Sequence, residues 1–129
     1  IFALCDFLTP NETETEALTG LPVRNEQEAE TAAKFLTELG VKTPIITMGE
    51  QGAFLHGHGL IPAFNFGKVV ETTGAGDAFN GGFAVALSEG KSALEAVKFG
   101  CATASISVTR AGTAPSMPAR DEVENILLN

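Results

Sequence analysis

Residues 25–48 place a capped amphipathic helix directly before a short apolar strand, and that order constrains the fold more than any other feature of the chain. Asn25 is a good N-cap, with Glu28 three positions on at the spacing of a capping box. Ala29, Ala32, Ala33, Leu36 and Leu39 then recur at helical spacing, and Gly40 is placed to stop the helix. "TPIITM", Thr43 to Met48, follows as a buried strand. Upstream, "FLTPN" (Phe7 to Asn11) reads as a strand halted at Pro10. Asn11 then caps a helix that is acidic at its start and ends near Gly20. Strands separated by helices predict an α/β fold, a mainly parallel sheet covered by helices.

The remaining elements fit that frame. "GEQG" (Gly49 to Gly52) is a turn, and "AFLHGHGLIPAF" (Ala53 to Phe64) a hairpin around Gly57 and Gly59, with His56 and His58 as turn residues. "KVV" (Lys68 to Val70) is a short strand. Phe79, Gly82, Phe83, Ala86 and Leu87 share one helical face that closes at Gly90. Ser92 caps a further helix with the stripe Leu94, Val97, Cys101, Ala104, Ser105 and Val108. Asp121 to Leu128 forms a last helix. No repeat or linker interrupts residues 1–129, which read as one unit with enough apolar content (44%) for a core.

Charge narrows the partners. A net charge of -8 argues against nucleic acid or an anionic membrane surface. The eight basic residues are scattered, so a bound anion would rely on backbone amides, helix N-termini and a metal ion. No apolar run reaches the length of a membrane span. Cys5 and Cys101 lie far apart and match no metal spacing, which points to a reducing, cytoplasmic setting. The chain starts at Ile1 inside an apolar run with no preceding cap, so further chain is expected upstream.

The chemistry concentrates in "ETTGAGDAFNGG", Glu71 to Gly82. Gly74, Ala75 and Gly76 precede Asp77 at the start of a helix. The first amides of a helix have no internal partners, and small side chains leave them open. With the helix dipole they make an anion hole suited to a transferring phosphoryl group. Asp77 at its rim is placed to accept the proton of an attacking hydroxyl. A carboxylate there is a weak base, but phosphoryl transfer passes through a loose transition state in which positioning matters more. The window by itself also fits a plainer reading, with Asp77 as an N-cap behind a glycine turn. It is neither a P-loop nor a Rossmann fingerprint.

The whole stretch "TTGAGDAFNGGF" resembles the signature of the ribokinase-like (PfkB) sugar kinases. "TPNETE", "ITMGEQGAFL" and "VTRAGTAPSMP" resemble three further family segments in the same order. The resemblance implies the C-terminal, nucleotide-binding and catalytic portion of a ribokinase-like fold, without the N-terminal half and lid. It implies Asp77 as catalytic base and sugar contact, and Gly74, Ala75 and Gly76 as the anion hole. Asn11 would touch the nucleotide phosphates, and Glu14 would organise Mg²⁺ through water. Thr47, Gly49 and Gly52 would lie along the nucleotide, with Gly76 and Asp77 at its phosphates. Cys101 falls where the family often has a polar residue near adenine; it equally fits a small core residue on its helix stripe.

A monovalent cation site, normally K⁺, is implied at Glu71, Thr73, Ser107, Arg110, Gly112 and Ser116. Glu71 stands where the family usually has Asp, which bears on K⁺ dependence. Ser116 and Arg110 also fit an ordinary turn hydroxyl and a solvated loop charge. The implied activity is ATP-dependent phosphorylation of a sugar hydroxymethyl group, D-ribose to ribose 5-phosphate, by a protein whose complete form is a candidate homodimer. Residues 1–129 alone are expected to be inactive. The alternatives are another sugar or nucleoside kinase of the family, or a non-catalytic nucleotide-binding module.

Overall fold

The computed structural model describes residues 6–64, 74–109 and 120–128. The chain divides into two compact units, Ile1–Ile61 and Pro62–Asn129. The expected strand at 68–70 and the cation-site positions Glu71, Thr73, Arg110, Gly112 and Ser116 lie outside the described residues.

In the first unit, β1 (Phe7–Leu8) leads to α1 (Glu12–Thr19), α2 (Glu26–Glu38) and β2 (Thr43–Thr47). β3 (Ala53–Leu55) and β4 (Gly59–Ile61) follow, and the sheet order is β1-β2-β3-β4. β1 pairs in parallel with β2, with Phe7 opposite Thr43, because the two intervening helices provide the crossover that a parallel pair needs. β2–β3 and β3–β4 are antiparallel. The described sheet is therefore mixed rather than mainly parallel. Connections 48–52 and 56–58 are too short for a crossover, so each strand must fold straight back.

Local signals set the helix ends. The Asn25 side chain accepts from the Glu28 amide at 2.9 Å, but the box is not reciprocal. Glu28 instead accepts from the Arg24 amide at 2.8 Å and from its guanidinium at 2.7 Å. At the other end Gly40 has φ 108, and the Val41 amide reaches back to the Leu36 carbonyl at 3.1 Å, a Schellman closure. Ala29, Ala32, Ala33 and Leu36 are fully buried, and the three alanines share one core cluster with Ile46, Met48 and Phe54. Leu39, expected on that face, is 40% exposed, because it is the C-cap residue where the helical spacing ends.

In the second unit, α3 (Ala75–Ser88), α4 (Ala93–Ser107) and α5 (Arg120–Leu128) follow. Ser92 and Glu95 cap α4 reciprocally. The expected stripe on α4 is only part of its buried surface. Leu94, Ala104 and Val108 are half-buried, whereas Ala96, Phe99, Gly100, Ala102, Thr103 and Ile106 are buried as well. From Ala96 on, α4 is enclosed on nearly every side, which its many small residues permit.

Cys101 is 4% exposed, and burial pushes its thiol up to about 12 from 9.0. Since the thiolate is the reactive species, Cys101 should resist modification by a thiol reagent at pH 8 until the protein unfolds. Prompt labelling of the folded chain at Cys101, located by peptide mass, would contradict this. The sign of the linked stability follows. A thiol whose folded pKa is raised favours folding fully below pH 9, and that contribution is lost as pH rises through 12.

Candidate functional site

In the first unit the site grows from the end of β1. Pro10 stops the strand, and Asn11 caps α1 through a reciprocal box. The Glu14 amide donates to Asn11 Oδ1 at 2.7 Å, and the Asn11 amide donates to Glu14 Oε1 at 2.9 Å. Thr15, fully buried, donates both its amide (2.9 Å) and its hydroxyl (2.7 Å) to the Asn11 carbonyl. Asn11 is thus held at three points. Its amide nitrogen Nδ2, a pure donor, and the second oxygen of Glu14 have no partner among the described residues. Both residues are exposed. A fixed donor beside an open carboxylate oxygen can take an anion and a hydrated cation side by side.

The tertiary structure brings "TPNETE" and "ITMGEQG" together. Thr47, at the end of β2, forms a parallel bridge with Asn11, and its amide donates to the Pro10 carbonyl at 2.9 Å. The following turn needs glycine at both ends. Gly49 has φ 57 and Gly52 has φ 115 with ψ -138, which a side chain would strain. Glu12 is a residue that the sequence offers only as a helix-dipole acid. Its Oε1 lies 4.0 Å from where a Cβ on Gly49 would stand, and partial burial raises its carboxyl above the usual range.

In the second unit the site is the tip of α3. Gly74 is its N-cap, with φ 90 and ψ -2, a conformation that favours glycine. Ala75, Gly76 and Asp77 are therefore the first three helical residues, and Asp77 is inside the first turn rather than the cap. The plainer N-cap reading of Asp77 does not hold. The first internal bond of the helix is Ala78 amide to Gly74 carbonyl at 2.9 Å, and among the described residues no side chain caps this end. The amides of residues 75–77 precede it, with no helical partner of their own. Asp77 is exposed.

Gly76 is informative. Its φ is not positive, and a Cβ there would meet nothing within 4 Å. Neither backbone strain nor packing calls for glycine, although glycine weakens a helix by about 0.5–1 kcal/mol relative to alanine. What glycine does at this position is leave the helix tip uncovered, because a Cβ tilts toward the helix N-terminus.

Cys101 is in the buried face of α4. Ser107 ends α4, where carbonyls lose their helical partners and the dipole favours a cation. Among the described residues no group of three His, Cys, Asp or Glu could hold a metal ion. Mg²⁺ bound through water at Glu14 needs no such group, so the open carboxylate there fits it. His56 and His58 flank the hairpin turn, half-buried and exposed. A half-open cavity of ≈ 520 Å³, lined by Ala86, Lys91, Lys98, Phe99 and Leu127 among others, lies at the far end of α3. Nine residues of helix, about 14 Å, separate Ala86 from Asp77, so this cavity is not the site described.

The ribokinase of Haemophilus influenzae is 45% identical over 98% of this chain, which spans 42% of that protein. A solved ribokinase from Thermotoga maritima superposes with a TM-score of 0.89 at 49% identity, over 100% of this chain and 44% of the other. Arabidopsis thaliana ribokinase, solved with ribose and ATP, gives 0.88 at 40% identity over 95% of this chain and 40% of the other. The fold is ribokinase-like, and the chain spans about two fifths of the length of these relatives. The model of the pfkB family of carbohydrate kinases matches residues 1–120, and the chain belongs to that family.

Proposed function

We propose that this chain is the C-terminal, nucleotide-binding part of an ATP-dependent sugar kinase that converts D-ribose to ribose 5-phosphate. The observation that carries the reading is the tip of α3, where among the described residues no side chain caps the amides beside Asp77 and nothing packs against the Cβ position of Gly76. In this reading Asp77 orients the ribose 5-hydroxyl and takes its proton as the oxygen meets the γ-phosphate. The amides of Ala75, Gly76 and Asp77 take up the charge that develops on the transferred group.

Asn11, held by its cap, donates Nδ2 to a nucleotide phosphate oxygen. Thr47, Gly49 and Gly52 line the nucleotide with backbone and hydroxyl. Glu14 would hold Mg²⁺ through water by its outer oxygen, and the ion would supply neutralisation of phosphate charge there. Cys101 adds packing rather than a polar contact. K⁺ at Glu71, Thr73, Ser107, Arg110, Gly112 and Ser116, a cytoplasmic setting and a homodimer of the complete protein belong to the same reading.

Ribose is favoured over other sugars by the identity to ribokinases and by the ribose and ATP complex of the Arabidopsis relative. The test is an ADP-release assay with ATP, Mg²⁺, K⁺ and a panel of pentoses, hexoses and nucleosides. The complete protein should turn over ribose in preference to the rest, and residues 1–129 alone should give no measurable product. Ribose 5-phosphate formed briskly by the short chain, or a complete protein that prefers another substrate, would overturn the corresponding part.

A further inference from the structure

In the second unit α3 and α4 approach each other at backbone distance, and glycines make that possible. A Cβ on Gly82 would lie 2.5 Å from Thr103 Oγ1, 3.0 Å from Thr103 Cβ and 3.3 Å from Gly100 Cα. A Cβ on Gly100 would lie 2.9 Å from two ring carbons of Phe79 and 2.9 Å from its carbonyl oxygen. Neither neighbour can swing aside. Thr103 is 4% exposed, and its hydroxyl donates to the Phe99 carbonyl at 2.8 Å. The Phe79 ring is 3% exposed and stacked on Phe83 with centroids 6.0 Å apart. Neither Gly82 nor Gly100 has a positive φ, so their absent side chains serve contact, not conformation.

We infer that Gly82, Gly100 and Thr103 form a seat that fixes the height and rotation of α3, and so the placement of Asp77. They are positioning residues for phosphoryl transfer, a role that rests on the function proposed above. Phe79 is two residues after Asp77, and Gly82 is five, about 7.5 Å along the same rigid helix. Relieving a 2.5 Å contact to ordinary separation requires a shift of about 1 Å. A shift of that size at the reacting groups costs on the order of 100-fold in rate.

The complete protein tests this with Gly82→Ala, Thr103→Ala, and the double variant Gly82→Ala/Thr103→Gly, which moves the glycine to the facing helix. Gly82→Ala should lower kcat about 100-fold with the KM for ATP changed by less than about 3-fold. The double variant should recover at least about 10-fold of that loss. Thr103→Ala opens the seat instead of crowding it. It should lower kcat about 3- to 10-fold at unchanged KM, and it serves if Gly82→Ala does not fold.

A folded Gly82→Ala with wild-type kcat would overturn the seat. So would a double variant that restores thermal stability but not turnover, or a Thr103→Ala that loses only stability. Asp77→Asn, run alongside, separates the two ideas. If it keeps full turnover, the catalytic role of Asp77 is lost and the seat has nothing to position; if it is inactive while Gly82→Ala is normal, only the seat is lost.

Discussion

Asp77→Asn in the complete protein is expected to lower kcat by about 10²- to 10⁴-fold while ATP binding persists. The substitution keeps the shape of the side chain and removes its ability to accept the hydroxyl proton. Asp77 is exposed in the first turn of α3, and its side chain makes no hydrogen bond or ion pair to another described residue, so little structure depends on it. Losing a carboxylate near a helix N-terminus costs about 0.3–1 kcal/mol, too little to unfold a domain of ordinary stability. A drop in kcat with an unchanged melting temperature therefore reports chemistry. Steady-state kinetics beside nucleotide titration of the same preparation is the measurement. A non-catalytic nucleotide sensor would be indifferent to the change, and wild-type turnover in the variant would remove Asp77 from its proposed role.

Gly76→Ala should move stability and activity in opposite directions. The added Cβ meets nothing within 4 Å, so no clash opposes it. Alanine is the better helix former, and the folded state should gain about 0.5–1 kcal/mol. The same Cβ tilts toward the helix N-terminus and covers the amides that an incoming phosphoryl group would use. Withdrawing one such donor costs about 10²- to 10³-fold in kcat. Denaturant unfolding and kinetics on one sample decide it. A variant both more stable and fully active would mean that the tip of α3 binds nothing. The contrast with Gly100 sharpens the argument, because alanine there would meet Phe79 at 2.9 Å and should destabilise instead.

Much of the fold is legible in the sequence because helix ends are set by chemistry within a few residues. Asn11, Asn25 and Ser92 cap α1, α2 and α4, and Gly20, Gly40 and Gly90, all with positive φ, close α1, α2 and α3. The core face of α2 is visible because its periodicity is a property of the segment alone. The enclosure of α4 is not. Whether Phe99 or Thr103 is covered depends on α3 and other packed elements, and no stripe predicts a helix buried nearly all round. Likewise the sheet is read as mainly parallel from the early strand–helix order, while the short connections after β2 add antiparallel strands among those described.

The candidate site divides along the same line. The sequence by itself determines that an acid follows a run of small residues at a helix start, and that Asn11 and Glu14 share a capping turn. Both are matters of spacing along the chain. It does not determine that Asp77 lies within the first turn, since the cap depends on the left-handed backbone of Gly74. Nor does it separate Gly76, whose Cβ position meets no described residue, from Gly82, pressed against Thr103, because glycines are alike in sequence. Only tertiary packing assigns them different work. A missing side chain has meaning only through what would otherwise stand in its place, and that is set by residues far away in the chain.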